Sequence, residues 1–453
     1  DTSFKILFLL FGFLNFNSFF FGQKIMSVFV LLSTALAGVL LIYRLINWKH
    51  FIHNKFLWLA LAFLVSYGIS MVWNMRYGIA APVKTMAWMG MQYLLLFATD
   101  DRKKLCDHKK QFHILSGVYI AYMFIAAAVS ISFLFTKYSN IAELKTEAGV
   151  MYIKSGFVWG RLWGVFTDPN YGSVMATIAL LLSLYFILNS KRIAVKIIMG
   201  INMALQVIYV CFSDSRTGLV AICVSVGVAT YCLLFTRKFK FGLVAKNAVC
   251  ILMALVVVIG YVGLSSGMKD GYNKIIQTKI NSVIEDEGEE EEFEEQLVGR
   301  EQDLENDISN RRFDLWGASF EILGSSPVVG VSFNNIQKYT LDNFPENYLV
   351  NNDHGKFDNY HNVLFNILAG QGLLGLALFI ALGAWAGIVA IKAVQKNLYG
   401  KENIFYIMAF SVLLAALCGS MFVSDLVYVN SPTATIFWYL LGVILIKPEK
   451  EVQ

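Results

Sequence analysis

Charged side chains are scarce in this sequence, at 15% of 453 residues against 57% hydrophobic. That balance excludes an ordinary soluble protein, in which roughly a quarter of residues are charged. Cysteine supplies no framework either. Of the six, Cys211, Cys223, Cys232, Cys250 and Cys418 lie in or at the edge of apolar runs and Cys106 in a short basic loop. None has metal-ligand spacing, so free thiols are expected and no disulfides. Ionisable groups are nearly missing from the middles of the apolar runs, with Lys84 and the end residues near interfaces. This argues against a proton- or sodium-driven carrier, whose charge relay needs titratable groups at bilayer depth. There is no Asp-x-Asp motif, no His/Cys ligand set and no convincing internal repeat, so neither a metal nor another cofactor is expected. The net charge of +5 implies no nucleic-acid partner, because basic residues beside membrane spans produce such an excess. The sequence begins at Asp1 without a basic cleavable leader, and is expected to lack its natural start.

What the sequence has is long apolar runs from end to end. Runs near 20 residues fall at about 4–21, 25–46, 56–73, 80–98, 113–135, 170–189, 194–212, 216–235, 243–264, 362–391, 403–424 and 432–446. They predict an all-α polytopic membrane protein with about twelve transmembrane helices. Residues 1–264 hold nine of them, with a medium loop at about 136–169. Residues 265–361 form a long loop between the ninth and tenth spans. Residues 362–453 hold the last three spans and a tail.

Basic residues fix the expected orientation. Arg44, Lys49 and Lys55, then Arg102 to Lys104 with Lys109 and Lys110, then Lys191, Arg192 and Lys196, then Arg237, Lys238, Lys240 and Lys246, then Lys392, Lys396 and Lys401 occupy every second connector. By the positive-inside rule these are cytoplasmic, both termini are inside, and the medium and long loops face outward. Within the long loop, residues 285–307 carry 13 of the 32 acids. A run of this kind repels itself and reads as a solvated segment rather than a folded cation site.

Four outward elements carry candidate chemistry. The first is Gly160 to Gly172, Gly-Arg-Leu-Trp-Gly-Val-Phe-Thr-Asp-Pro-Asn-Tyr-Gly, where Asp168 or Asn170 can cap the next helix. The second is Ser213-Asp214-Ser215-Arg216-Thr217-Gly218-Leu219, at the entry to the eighth span. The third runs from Arg311 and Arg312 to Gly330, with Trp316, Phe320 and Leu323 at helical spacing before a Pro327/Gly330 turn. The fourth runs from Tyr360-His361-Asn362 to Gly375 and begins a glycine-containing helix. Taken singly, each also reads as an ordinary interfacial turn, a snorkelling arginine, a packed amphipathic helix or a capping histidine.

Together they resemble the bacterial O-antigen ligase and Wzy-type polysaccharide polymerase family. The likeness rests on the turn ending at Asn170, the Ser-x-Ser-Arg-x-Gly entry, the Arg-x3-Trp…Pro-x2-Gly stretch and the His-Asn…Gly-x2-Gly helix, in that order and on one side. The acidic insert and the doubled arginine depart from it. The resemblance implies a GT-C-like membrane glycosyltransferase of the bacterial cytoplasmic membrane, with its active site facing the periplasm or cell exterior. It would use an undecaprenyl-diphosphate-linked glycan as donor and a glycan hydroxyl as acceptor, within the lipid bilayer and beside other polysaccharide-assembly proteins. Guanidinium groups suit a departing diphosphate, which nominates Arg161, Arg216 and Arg312, with Arg311 exchangeable for the last. A neutral imidazole suits the proton of the attacking hydroxyl, which nominates His361, with Asp168 as substitute and Asn170 and Asn362 orienting substrate. Polymerase of O-antigen or capsule repeat units is favoured. Ligase to a lipid A core sugar, a polysaccharide or lipid-carrier transporter, and a signalling or adhesion protein stay open.

Overall fold

The computed structural model describes residues 1–146, 149–287, 297–299, 311–352 and 356–446, with backbone only at 145, 146, 149–151 and 279–287. It is a helical bundle. Its helices are α1 (Thr2–Asn15), α2 (Ile25–Ile46), α3 (Lys55–Trp73), α4 (Ala80–Met91), α5 (Leu105–Thr136), α6 (Pro169–Asn189), α7 (Ile193–Phe212), α8 (Arg216–Phe235), α9 (Leu243–Glu287), α10 (Arg312–Ser325), α11 (Ile336–Asn343), α12 (Val363–Asn397), α13 (Asn403–Ser420) and α14 (Pro432–Ile444). Nine of these, α2, α3, α5 to α9, α12 and α13, are long and apolar enough to cross a membrane among the described residues. The exposed faces of α2 and α9 are themselves leucine, isoleucine and valine, as a lipid-facing surface requires.

Three of the twelve expected spans are shorter than a full crossing. At α1, the run expected to reach residue 21 stops because Asn17 takes over: its backbone bridges to Phe166 and its side chain accepts the Phe19 N–H at 3.0 Å. Helix α4 passes into a single π-helical stretch, Gln92–Phe97. Carbonyls freed there are taken by the buried Arg44 guanidinium, which donates to Leu94, to Ala98 at 2.9 Å and to Leu95 at 3.3 Å. Arg44 is also paired with Asp1 at 3.1 Å, so its charge is compensated within the protein. Helix α14 is only 13 residues long, because the chain before it is not helical from Met421 to Ser431.

The medium loop is not a loop. Residues 139–164 form an antiparallel three-stranded sheet, β1 (Ser139–Thr146), β2 (Gly149–Val158) and β3 (Arg161–Gly164), in the order β1-β2-β3. The all-α expectation is corrected to that extent. Nor is 265–361 wholly irregular. Helix α9 continues through Gly263 and Gly267, where no side chain is needed for packing, as far as Glu287, and α10 and α11 follow. Most of the acidic segment, 288–296 and 300–307, lies outside the described residues.

Helix α12 contains the feature that shapes the candidate site. At Gly372 the backbone turns to φ +62° and breaks the helix. The stretch from Pro327 to Ser332 lies against the break and takes up its exposed groups. The Leu373 N–H donates to the Pro327 carbonyl at 2.8 Å and the Val331 and Ser332 N–H groups to Ala369 and Gly370 at 2.9 Å each. A Cβ at Gly372 would collide with the Val328 backbone, which is why the Pro-x2-Gly turn and the glycine-rich helix must occur together. Irregular backbone at this depth is tolerated only when buried in protein and fully hydrogen-bonded.

All the basic connectors lie at one end of the bundle, where Lys109 pairs with Glu402 and Lys103 with Asp1. The four motif elements lie at the other. In a background without native cysteines, Lys240→Cys and Lys338→Cys, both at exposed positions, should therefore label from opposite faces of the membrane. Labelling of both from one face would contradict this topology.

Candidate active site

Each motif supplies its residues from a helix start. Asp168 is the N-cap of α6 and accepts the Asn170 N–H at 2.6 Å, with Pro169 at the first helical position. Ser215 caps α8 by accepting from Gly218 N–H at 3.0 Å, which places Arg216 at that helix's first turn. Asn362 caps α12 through the N–H groups of Leu364 (2.8 Å) and Phe365 (3.4 Å), and its amide donates to the Met421 carbonyl at 2.9 Å. The capping group of the fourth element is therefore Asn362, while His361 stands just outside the helix.

These helix starts are bonded to one another. Asn170 Oδ1 accepts from Ser215 Oγ at 2.8 Å and from Arg161 Nη2 at 3.3 Å. Arg161, buried, also donates through Nε to the Ser213 carbonyl at 2.9 Å, which ties β3 to the turn before α8. Arg312 Nη2 reaches Thr217 Oγ1 at 3.5 Å, and its guanidinium lies over the Phe422 ring, 5.1 Å from the centroid. Trp316, one turn further along α10, donates to the Tyr360 carbonyl at 3.0 Å and stacks on Phe365 at 5.1 Å. Elements separated by up to 200 residues in sequence thus meet at one end of the bundle. Asp214, Arg311 and His361, with φ of +44°, +64° and +48°, place left-handed backbone inside three of the four elements, a conformation that non-glycine residues seldom adopt.

His361 lies within electrostatic reach of Asp358, Asp168 and Arg312. Its backbone N–H donates to Asn359 Oδ1 at 2.8 Å, its ring meets Phe357 edge-on at 6.0 Å, and its imidazole makes no hydrogen bond to any described residue. Burial pushes its pKa below the ordinary imidazole value; the carboxylates of Asp358 and Asp168 oppose that shift and Arg312 adds to it. The imidazole is accordingly neutral near pH 7, the state in which it accepts a proton. Arg312 rather than Arg311 is the guanidinium beside it, since Arg311 is exposed at the mouth of α10.

Of the nominated residues, Asp168 and Arg312 lie within electrostatic reach of His361, and Arg161 and Asn170 are joined through Ser215 to the helix start that carries Arg216 and, at Thr217, meets Arg312. Asn170 and Asn362 have their side chains engaged within the protein. Asp168 has one carboxylate oxygen occupied by its cap. Sequence reasoning missed Asp358, which faces His361, and the segment 421–431, which supplies Phe422 and Ser424. Asp358 lies only three residues before His361 in a polar stretch, a signal that could have been used. Among the described residues no group of three or more His, Cys, Asp or Glu is arranged to hold a metal ion.

A multi-helix membrane protein with arginines and a neutral imidazole converging at one end is the class that fold and site define. The O-antigen ligase family model matches residues 201–380 of the chain. Three of the four motifs lie inside the match. The first, from Gly160 to Gly172, lies outside it and is joined to the others by the Arg161 and Asn170 hydrogen bonds. No curated protein matches the chain. The matched model describes O-antigen ligases, and the apolar helices of the described residues fit a multi-pass membrane protein.

The signs of the His361 shift give a test. If the neutral imidazole is required, the acid limb of kcat/KM lies below the ordinary histidine value of about 6.5. Asp358→Asn removes a carboxylate that favours imidazolium and should move the limb to lower pH. Arg312→Gln removes a cation that disfavours it and should move the limb to higher pH. Limbs that stay at the parental pH in both variants would exclude His361 as the titrating group.

Proposed function

We propose that the chain polymerises undecaprenyl-diphosphate-linked repeat units of a surface polysaccharide on the extracytoplasmic face of the bacterial cytoplasmic membrane. The observation that carries this reading is that Asp358, Asp168 and Arg312 all act electrostatically on the buried His361, while Arg312 reaches Thr217 beside Arg216 at the neighbouring helix start. His361 takes the proton of the acceptor hydroxyl as the new bond forms between that oxygen and the donor's anomeric carbon. The bond from the anomeric carbon to the phosphate oxygen breaks, and its electron pair leaves with the lipid diphosphate. Arg216 and Arg312 stabilise that charge through planar, paired donors, with Arg161 holding the turn behind them. The arrangement is GT-C-like in placing such a site at the outer end of a helical bundle.

Asn170 and Asn362 act here on the protein, setting Arg161 and the start of α12. Asp168 caps α6 and adds negative charge beside His361. Ligation of a finished glycan to a lipid A core sugar uses the same chemistry and differs in the acceptor. A polysaccharide or lipid-carrier transporter would need polar groups along a route through the bilayer, whereas the polar constellation described here belongs to one end.

Purified protein incubated with a single lipid-linked repeat unit should yield a ladder of lengthening products. A single transfer to an added core acceptor would indicate the ligase, and no transfer under either condition would overturn the reading. In the same assay His361→Ala and His361→Gln should lose roughly a hundredfold to ten-thousandfold in rate. Lys in place of Arg216 or Arg312 keeps charge but not the planar fork and should also transfer poorly. Near-normal turnover in either His361 variant removes it as base.

A further inference from the structure

The chain between α13 and α14, residues 421–431, lies outside the stretch matched by the family model, yet it runs directly beneath the candidate site. Phe422 backs the Arg312 guanidinium and the Met421 carbonyl accepts from Asn362. Ser424 makes the most specific contacts. Its Oγ donates to Asn359 Oδ1 at 2.6 Å and accepts from Asn366 Nδ2 at 2.6 Å.

The direction of these bonds is fixed by their neighbours. Asn366 Oδ1 already accepts the Tyr360 N–H at 2.8 Å, so its amide nitrogen must face Ser424. The single hydroxyl proton of Ser424 is then left for Asn359. Asn359 Oδ1 also accepts the His361 N–H, and its Nδ2 donates to Asp358 Oδ1 at 2.6 Å. One amide therefore holds both the backbone of His361 and the carboxylate beside its ring, and Ser424 holds that amide. Asn359 and Asn366 are 7% and 1% exposed, so water has little access with which to replace the hydroxyl. His361 at φ +48° needs such external support.

We infer that Ser424 is a positioning residue for the base: through Asn359 it sets the place of His361 and the distance of Asp358 from the imidazole. The inference rests on the reading of His361 as the proton acceptor.

The test is glycan transfer by the full-length protein in a membrane mimetic. Ser424→Ala should lower kcat roughly ten- to hundredfold, the scale expected for a slight misplacement of a reacting group, with donor KM unchanged. It should also move the acid limb of the pH profile to lower pH, because a loosened Asn359 lets Asp358 draw away from the imidazole. Ser424→Thr, which keeps the hydroxyl, should restore most of the rate and the parental limb. Ser424→Cys, of nearly the same size and with a poor donor, should behave as the Ala variant does, and it serves if the Ala variant fails to fold. In a His361→Ala background Ser424→Ala should cost nothing further. Parental kcat and limb in a folded Ala or Cys variant would overturn the inference. An equal fold-loss with and without His361 would overturn it as well, while leaving the base reading standing. Parental transfer by His361→Ala alone would overturn the base reading, and this proposal with it.

Discussion

In hydrocarbon, a backbone N–H or C=O that leaves a helix must find a partner in the protein, and the architecture of this chain follows from how it meets that demand. Helix α12 is broken at Gly372, and the Pro327–Ser332 stretch fills the break with its own peptide groups. The chain from Met421 to Ser431 runs unwound between α13 and α14. It is held by Asn362 on the Met421 carbonyl, by Gln92 on Val429 (2.8 Å) and by Trp438 on Leu426 (2.9 Å). Ser66 and Ser70 of α3 complete the set, bonding to the Gln371 side chain and the Gly370 carbonyl at 2.9 and 2.8 Å. These closures fix α3, α10, α12 and the last loop against one another. The start of α12, where His361 stands, inherits their rigidity.

The two ends of the bundle use charge differently. At the basic end Arg44, Lys5 and Lys103 surround Asp1 and are spent on one another and on backbone carbonyls. At the other end Arg312 rests on an aromatic ring and a hydroxyl, and His361 is kept neutral by burial among mixed charges. Lys269, on the part of α9 beyond the expected span, pairs with Asp214 at 2.9 Å and steadies the strained turn that precedes Arg216. Asp425, the residue after Ser424, is 1% exposed.

The membrane class and most helix positions were legible, because twenty apolar residues in a row admit few other readings. Asp168 was legible as a cap because Asp-Pro-Asn before an apolar run has a local mechanism. The helix break at Gly372 was not, since its cause lies 44 residues earlier at Val328. The β-sheet was missed because its strands are far shorter than a span and were read only as the space between spans. Helix α9 was ended too soon at its glycines and serines, which tertiary packing does not require it to respect. Convergence of the four motifs was expected from their order and side. What no spacing could reveal was the last loop, where Ser424 is meaningful only through its partners at Asn359 and Asn366.

The central claim is that the arginines and His361 at this end form one site for a lipid-linked diphosphate donor. The most direct measurement is an experimental structure of the protein with a lipid-diphosphate-linked glycan bound. The account predicts the diphosphate between Arg216 and Arg312, with the anomeric carbon of the first sugar turned toward His361. A diphosphate bound instead among the basic residues at the opposite end, with the Arg216 and Arg312 region empty, would contradict it.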